Sequence, residues 1–170
     1  LINGKQVNVS SVRNPEELPW KDLKVDIVLE CTGIFRTSEA ASKHITAGAE
    51  KVIISAPGKG DDVQTIVLGI NDENLDLSNN VFSNASCTTN CFSPVAKIVD
   101  DNWGIVSGSM TTIHSYTSDQ RIQDAPHADL RRSRAAAINI IPTSTGAAIA
   151  TSKVVPSVEG KISAIAFRVP

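Results

Sequence analysis

The sequence lacks any strong excess of charge. Sixteen Lys and Arg stand against eighteen Asp and Glu, a formal net charge of -2 over 170 residues. That balance gives no electrostatic case for nucleic acid or an anionic membrane as a partner. No apolar run is long enough to span a bilayer, and the opening residues do not read as a signal peptide. The three cysteines are an odd number without a CxxC…CxxC pairing. This argues against a disulfide framework or a cysteine metal site and points to a reducing compartment. Ten glycines are present, yet none forms GxGxxG. The length suits one ordinary domain or pieces of two. The chain opens at Leu1 inside an alternating apolar run and stops at Pro170 after a strand-like run. The ends therefore predict an internal piece of a longer protein.

What is present reads first as α/β. Val25 to Cys31, Lys51 to Ser55, Thr65 to Ile70 and Val81 to Ser83 read as strands. Ser38 is the expected cap of a helix through Ala40, Ala41, His44 and Ile45, ended by Gly48. Strands alternating with a helix predict a sheet with at least one parallel crossover. The character then changes. Thr88 to Asp101 reads as a helix with Pro94 as an obstacle, and Gly104 to Tyr116 as a long strand. Thr117 to Arg134 forms a polar, arginine-rich stretch too long for an ordinary turn. Ala135 to Ala150 is small and apolar, broken by Pro142 and Gly146, and Ile162 to Val169 is strand-like. The expected seam lies near Ala85-Ser86.

The chemistry gathers around Cys87, which follows a strand and is expected to open a helix. A helix N-terminus offers unpaired N–H groups and partial positive charge, an environment that suits an anionic sulfur or a bound anion. Ser86, Thr88 and Thr89 surround it with hydroxyls. On this local context alone, a buried structural cysteine beside a Ser/Thr cap stays open as the alternative. Cys91 lies one helical turn on. The i,i+4 Cβ separation is about 5–6 Å and a disulfide wants roughly 3.5–4.5 Å, so a Cys87–Cys91 bond is disfavoured. Cys91 and Cys31 are expected to be small packed residues. Of the three histidines, His114 shares a strand face with Thr112 and Tyr116, which suits a rigidly held base; a merely satisfied strand-end histidine is the competing reading. His44 and His127 are expected at the surface. Thr117, Thr145, Gly146, Arg132 and Arg168 are candidate phosphate contacts through hydroxyl, backbone N–H and guanidinium groups.

Together these segments form a pattern. Asn84-Ala85-Ser86-Cys87-Thr88-Thr89-Asn90-Cys91 resembles the active-site signature of the glyceraldehyde-3-phosphate dehydrogenases. Met110 to Thr117 with Asp119-Gln120-Arg121 resembles that family's histidine segment, and Asp129 to Ala137 its long S-shaped loop. Ile140 to Ala148, Ala166 to Pro170, Glu30-Cys31-Thr32-Gly33 and Val52 to Pro57 are similar too, in the family's order.

The resemblance implies α/β plus α+β architecture. Residues 1–86 would be the C-terminal part of a Rossmann-type NAD-binding domain, and residues 87–170 the N-terminal part of a mixed-sheet catalytic domain. It implies a phosphorylating aldehyde dehydrogenase that oxidises D-glyceraldehyde 3-phosphate to 1,3-bisphosphoglycerate with NAD and inorganic phosphate. Cys87 would be the nucleophile and His114 the general base. Thr117 and Arg168 would hold the substrate's phosphate. Ser86, Thr88, Thr145 and Gly146, joined by Arg132, would hold the attacking phosphate. Thr32, Gly33 and Ser55 would line the nicotinamide cofactor. A cytoplasmic homotetramer and no metal are likewise implied. The glycine-rich dinucleotide turn is absent from this stretch. NAD is favoured over NADP because Pro126 resembles the NAD-using members, although Ala125 is less typical of them. The competing readings are erythrose-4-phosphate dehydrogenase, a non-catalytic binding protein on the same fold, and a thiol redox sensor using Cys87 and Cys91.

Overall fold

Two short, largely apolar runs form β1 (Ile27–Glu30) and β2 (Lys51–Ile54), and burial alternates along each with the period of two of a strand. The structure, a computed structural model, describes residues 1–170. It divides into two compact units, one of Leu1–Ile66 with Asn74–Ala85 and one of Val67–Glu73 with Ser86–Pro170.

In the first unit β1 and β2 join β3 (Gln64–Thr65) and β4 (Val81–Ser83) in an all-parallel sheet of order β1-β2-β4-β3. The register sets Val28 beside Val52 and Glu30 beside Ile54. Val28, Val52, Ile54 and Val81 form the core with Ala41, Ala49 and Val63. Ile27 and Leu29 point to the other face and are exposed.

The crossover from β1 to β2 carries two helical turns, α1 (Ser38–Ala41) and α2 (Lys43–Thr46), in place of the single helix expected. Thr37, rather than Ser38, is the cap: its hydroxyl accepts from Ala40 N at 3.2 Å. Gly48 ends the segment at φ 112°, where an added Cβ would lie 2.6 Å from Lys21 Cβ, so only glycine fits. The expected strand over Thr65 to Ile70 is reduced to β3. The following residues turn instead, with Ile70 N donating to Val67 O at 3.0 Å and Val67 N to Asn71 Oδ1 at 2.8 Å.

In the second unit α3 spans Cys87–Trp103 and buries Thr89, Ser93 and Ala96. It runs through Pro94, which removes one backbone donor; the buried face and a full cap hold the helix across that point. The strand expected from Gly104 begins only at Gly108, because Gly104 (φ 72°) caps α3 through its N–H to Asp100 O at 2.9 Å. That strand, β5 (Gly108–Ser115), pairs in parallel along its whole length with β7 (Ile162–Val169). β6 (Ile141–Thr143) pairs antiparallel to β7, giving a mixed sheet of order β5-β7-β6. α4 (Ala147–Val154) packs on α3 and β7. One parallel sheet and one mixed sheet make the chain α/β plus α+β.

Candidate active site

Ser86 starts the site. Its backbone is extended (φ -107°, ψ 163°) and its hydroxyl accepts from Thr89 N at 3.0 Å, capping α3. The same hydroxyl lies 2.8 Å from Thr89 Oγ1. Cys87 is thereby fixed as the first residue of the helix, with its side chain exposed. Thr88 and Cys91 line the same cavity of about 520 Å³, whose far wall is β5 with Met110, Thr112 and His114. Cys91 is exposed, not packed, because it lies one turn along the same open face of α3. Cys31 is exposed too: alternation past the buried Glu30 continues the outward face of Ile27 and Leu29.

His114 Nε2 lies 3.7 Å from Cys87 Sγ. The other ring nitrogen, Nδ1, lies 2.7 Å from the carbonyl oxygen of Ser115. Across the sheet His114 is directly paired with Arg168, so both side chains leave the same face. Arg168 Nη1 is 2.7 Å from His114 Nδ1 and 3.1 Å from Ser115 O. Arg168 Nε is buried without a partner. The imidazole thus links two other groups singled out in the sequence, the thiol on one side and the guanidinium on the other.

The long loop is an ordered polar structure. Thr117 N donates to Gln120 Oε1 at 2.8 Å and Gln120 Nε2 to Asp119 Oδ2 at 3.0 Å. Arg132 is tied down by Asp119 through Nη1 and by the Thr143 hydroxyl through Nε and Nη2. A short helical turn, Leu130–Ser133, is capped by Asp129. Arg131 donates to Asp129 from Nε at 3.0 Å and Nη2 at 2.8 Å. This bonding holds the Asp129 carboxyl down at about 2. Buried Gln120 was not singled out as a site residue, yet it links Thr117 to Arg132 through Asp119; the Asp119-Gln120-Arg121 run was its only signal. His127, expected at the surface, is half-buried and accepts from Asp129 N at 2.9 Å. At the start of α4, Thr145 Oγ1 accepts from Ala147 N at 3.2 Å. Gly146 is the cap, and a Cβ there would meet nothing within 4 Å.

The remaining candidates lie in the first unit. Thr32-Gly33 follows β1 and Ser55 follows β2, at the carboxyl ends of adjacent parallel strands joined by Ser55 N to Glu30 O at 3.0 Å. Ligands of open α/β sheets bind outside those ends. Gly33 has φ 73° with open space where a side chain would be. Thr32 is held from behind: its N–H donates to Glu30 Oε1 at 2.7 Å, and its hydroxyl donates to the same oxygen. Glu30 is 3 % exposed and His44 5 % exposed. His44 is therefore not the surface residue expected. Its Nδ1 accepts from Trp20 Nε1 at 3.0 Å, so Nε2 carries the proton and donates to Glu30 Oε2 at 2.9 Å. Burial alone would raise the Glu30 carboxyl; the bonds from Thr32 and His44 outweigh it and hold the group below its ordinary value.

A family model described as "Glyceraldehyde 3-phosphate dehydrogenase, C-terminal domain" matches residues 86–170, half of the chain. The chain belongs to the glyceraldehyde 3-phosphate dehydrogenase family. The companion model of that family, described as its NAD binding domain, matches residues 1–38. The chain is 56% identical over 170 residues to glyceraldehyde-3-phosphate dehydrogenase 2 of Nostoc, covering 99% of this chain and 50% of that protein. It is 59% identical over 170 residues to glyceraldehyde-3-phosphate dehydrogenase of Streptomyces coelicolor, with the same shares of 99% and 50%. A third relative, the chloroplastic glyceraldehyde-3-phosphate dehydrogenase A of Scenedesmus vacuolatus, is 54% identical over 169 residues, 99% of this chain and 54% of its own length. The chain spans about half the length of these relatives. No helix is long and apolar enough to cross a membrane.

Proposed function

We propose that the full-length protein is an NAD-dependent phosphorylating dehydrogenase that converts D-glyceraldehyde 3-phosphate to 1,3-bisphosphoglycerate. The observation that carries this reading is Cys87 Sγ facing His114 Nε2 at 3.7 Å at the start of α3. A nucleophile and a base within reach, the base oriented by a third group, is the arrangement covalent catalysis needs.

Cys87 sulfur adds to the aldehyde carbon, and His114 takes the thiol proton. The helix N-terminus favours the oxyanion that develops on the former carbonyl oxygen. NAD, when bound, supplies the acceptor for the hydride that leaves this carbon. His114 gives the thiol proton to the oxyanion, making the thiohemiacetal hydroxyl, and takes it back as the thioester forms. Inorganic phosphate then attacks the thioester carbon, the C–S bond breaks, and Cys87 is regenerated as the acyl phosphate departs.

Arg168 and Thr117 hold the phosphate of the substrate. Ser86, Thr88, Thr145 and Gly146 hold the attacking phosphate, and Arg132 takes a lesser share because Thr143 and Asp119 already engage it. Thr32, Gly33 and Ser55 face the nicotinamide end of NAD; their place at the carboxyl ends of β1 and β2 supports this. In this reading residues 1–86 are part of the NAD-binding domain and 87–170 part of the catalytic domain. The enzyme acts in the cytoplasm as a homotetramer. The test is Cys87→Ser in the full-length enzyme: acyl transfer is abolished and NAD affinity is nearly unchanged. Substantial surviving dehydrogenase activity would refute the assignment.

A further inference from the structure

Thr117 stands just past the sheet. β5 ends at Ser115, and Tyr116 N still donates to Val169 O at 3.1 Å. Beyond that bond all three polar groups of Thr117 turn to one residue, Gln120. Thr117 N donates to Gln120 Oε1 at 2.8 Å, and its hydroxyl donates to the same oxygen at 3.3 Å. Thr117 O accepts from Gln120 N at 3.0 Å. Thr117 is exposed, whereas Gln120 is 4% exposed. A buried side chain thus anchors an exposed one.

The amide of Gln120 can face only one way. Its Nε2 donates to Asp119 Oδ2 at 3.0 Å. A carboxylate can only accept, so Oε1 is the atom turned to Thr117. Asp119 is itself held, because Arg132 Nη1 donates to the same Oδ2. The Thr117 N–H is committed to Oε1, which leaves the hydroxyl as the group of Thr117 able to donate to a phosphate. Its bond to Oε1 is the longer of the two, and Oε1 stays paired with the N–H when the hydroxyl leaves. A hydroxyl proton rotates freely about its C–O bond. The hydroxyl can therefore turn its proton to an anion while the backbone stays fixed.

We propose that Gln120 is a positioning residue for the substrate's phosphate: it holds the Thr117 hydroxyl where a phosphate monoester needs a donor, and so raises the enzyme's preference for a phosphorylated aldehyde over an unphosphorylated one. This rests on the reading of Thr117 as a contact of that phosphate. It adds that the contact depends on a side chain that does not touch the substrate. Two changes at Gln120 act on Thr117 in opposite ways. Gln120→Met removes the acceptor and frees the turn. Gln120→Glu keeps an acceptor but grips the hydroxyl proton more strongly, and sets a negative charge beside Asp119 and the phosphate. Both weaken the hold on the phosphate.

The experiment compares kcat/KM of the full-length enzyme for D-glyceraldehyde 3-phosphate and for D-glyceraldehyde, the same aldehyde without the phosphate. The readout is the ratio of the two values. A merely structural Gln120 would lower both together and leave the ratio where it was. Gln120→Met is expected to lower the ratio about tenfold, the weight of one hydrogen bond. Gln120→Glu is expected to lower it at least as far; it keeps the side chain's shape, so it decides the matter if Gln120→Met does not fold. Thr117→Val keeps the backbone N–H but has no hydroxyl to position. Adding Gln120→Met to it is expected to lower the ratio no further, because the effect runs through that hydroxyl. An unchanged ratio in either Gln120 variant, or a full further fall in the Thr117→Val background, overturns the proposal. The underlying reading is tested by Thr117→Val alone. If its ratio equals that of wild type, Thr117 is not a phosphate contact and both readings fail; if its ratio falls while the Gln120 variants keep theirs, only the role of Gln120 fails.

Discussion

Glu30 and His44 meet 2.9 Å apart in the interior of the first unit, one from a strand and the other from a helical turn. Each uses its remaining capacity elsewhere, His44 on Trp20 and Glu30 on Thr32. The chain of bonds therefore runs from the half-buried Trp20 indole to the proposed nicotinamide-side turn. Replacing Glu30 by Gln, or His44 by Ala, leaves buried polar groups unpaired, which costs about 1–3 kcal/mol. Urea unfolding of the full-length variants should show a lower midpoint, and Glu30→Gln should also weaken NAD binding through Thr32. A midpoint equal to wild type would mean that this network is not structural.

The long loop should respond to acid in one direction. The Asp129 carboxyl is held from its ordinary 3.8 down to about 2 by Arg131. A depressed carboxylate supports the folded loop in full above 3.8, and this support is lost as pH falls through about 2. The readout is hydrogen exchange of the Arg131 amide, which donates to Asp129 Oδ1 at 3.0 Å. Protection should fall across that window in the wild type and be low and flat in Asp129→Asn. Identical profiles would contradict the tether.

The 170 residues alone should not melt as one cooperative two-state unit. All-parallel sheets are normally covered on both faces, yet Ile27 and Leu29 are 55% and 65% exposed. In the second unit Ile113 and Ile165 share an uncovered face of the mixed sheet. A sharp calorimetric transition with matching calorimetric and van't Hoff enthalpies would contradict this expectation.

The elements legible in the sequence were those with a local cause. The run at 81–83, the helix after Ser86 and the strand at 162–169 carry their own caps, apolar periods and stops. Less was legible where the cause is tertiary. Cys31 ends an apolar strand and so reads as packed, but it lies on the open face of the sheet with Ile27 and Leu29. His44 looked exposed because its partners lie far off in sequence, although an acid at Glu30 inside an apolar run was a sign that something buried must answer it. The run over 65–70 is β-prone in composition, but the Asn71 side chain bonds Val67 N and turns the chain. At the site, Cys87 and His114 were legible as residue types and as a family pattern. The contact between His114 and Arg168 comes from the β5–β7 register, which no local pattern encodes.

The central claim is that Cys87 carries the acyl group, and it is tested most directly by trapping that intermediate. The full-length enzyme should be mixed with glyceraldehyde 3-phosphate and NAD without inorganic phosphate, quenched in acid and digested for mass spectrometry. The account predicts a thioester-linked phosphoglyceroyl group on the peptide containing Cys87, localised to that residue and released when phosphate is added before quenching. An unmodified Cys87, or an acyl group found on Cys91 instead, would contradict it.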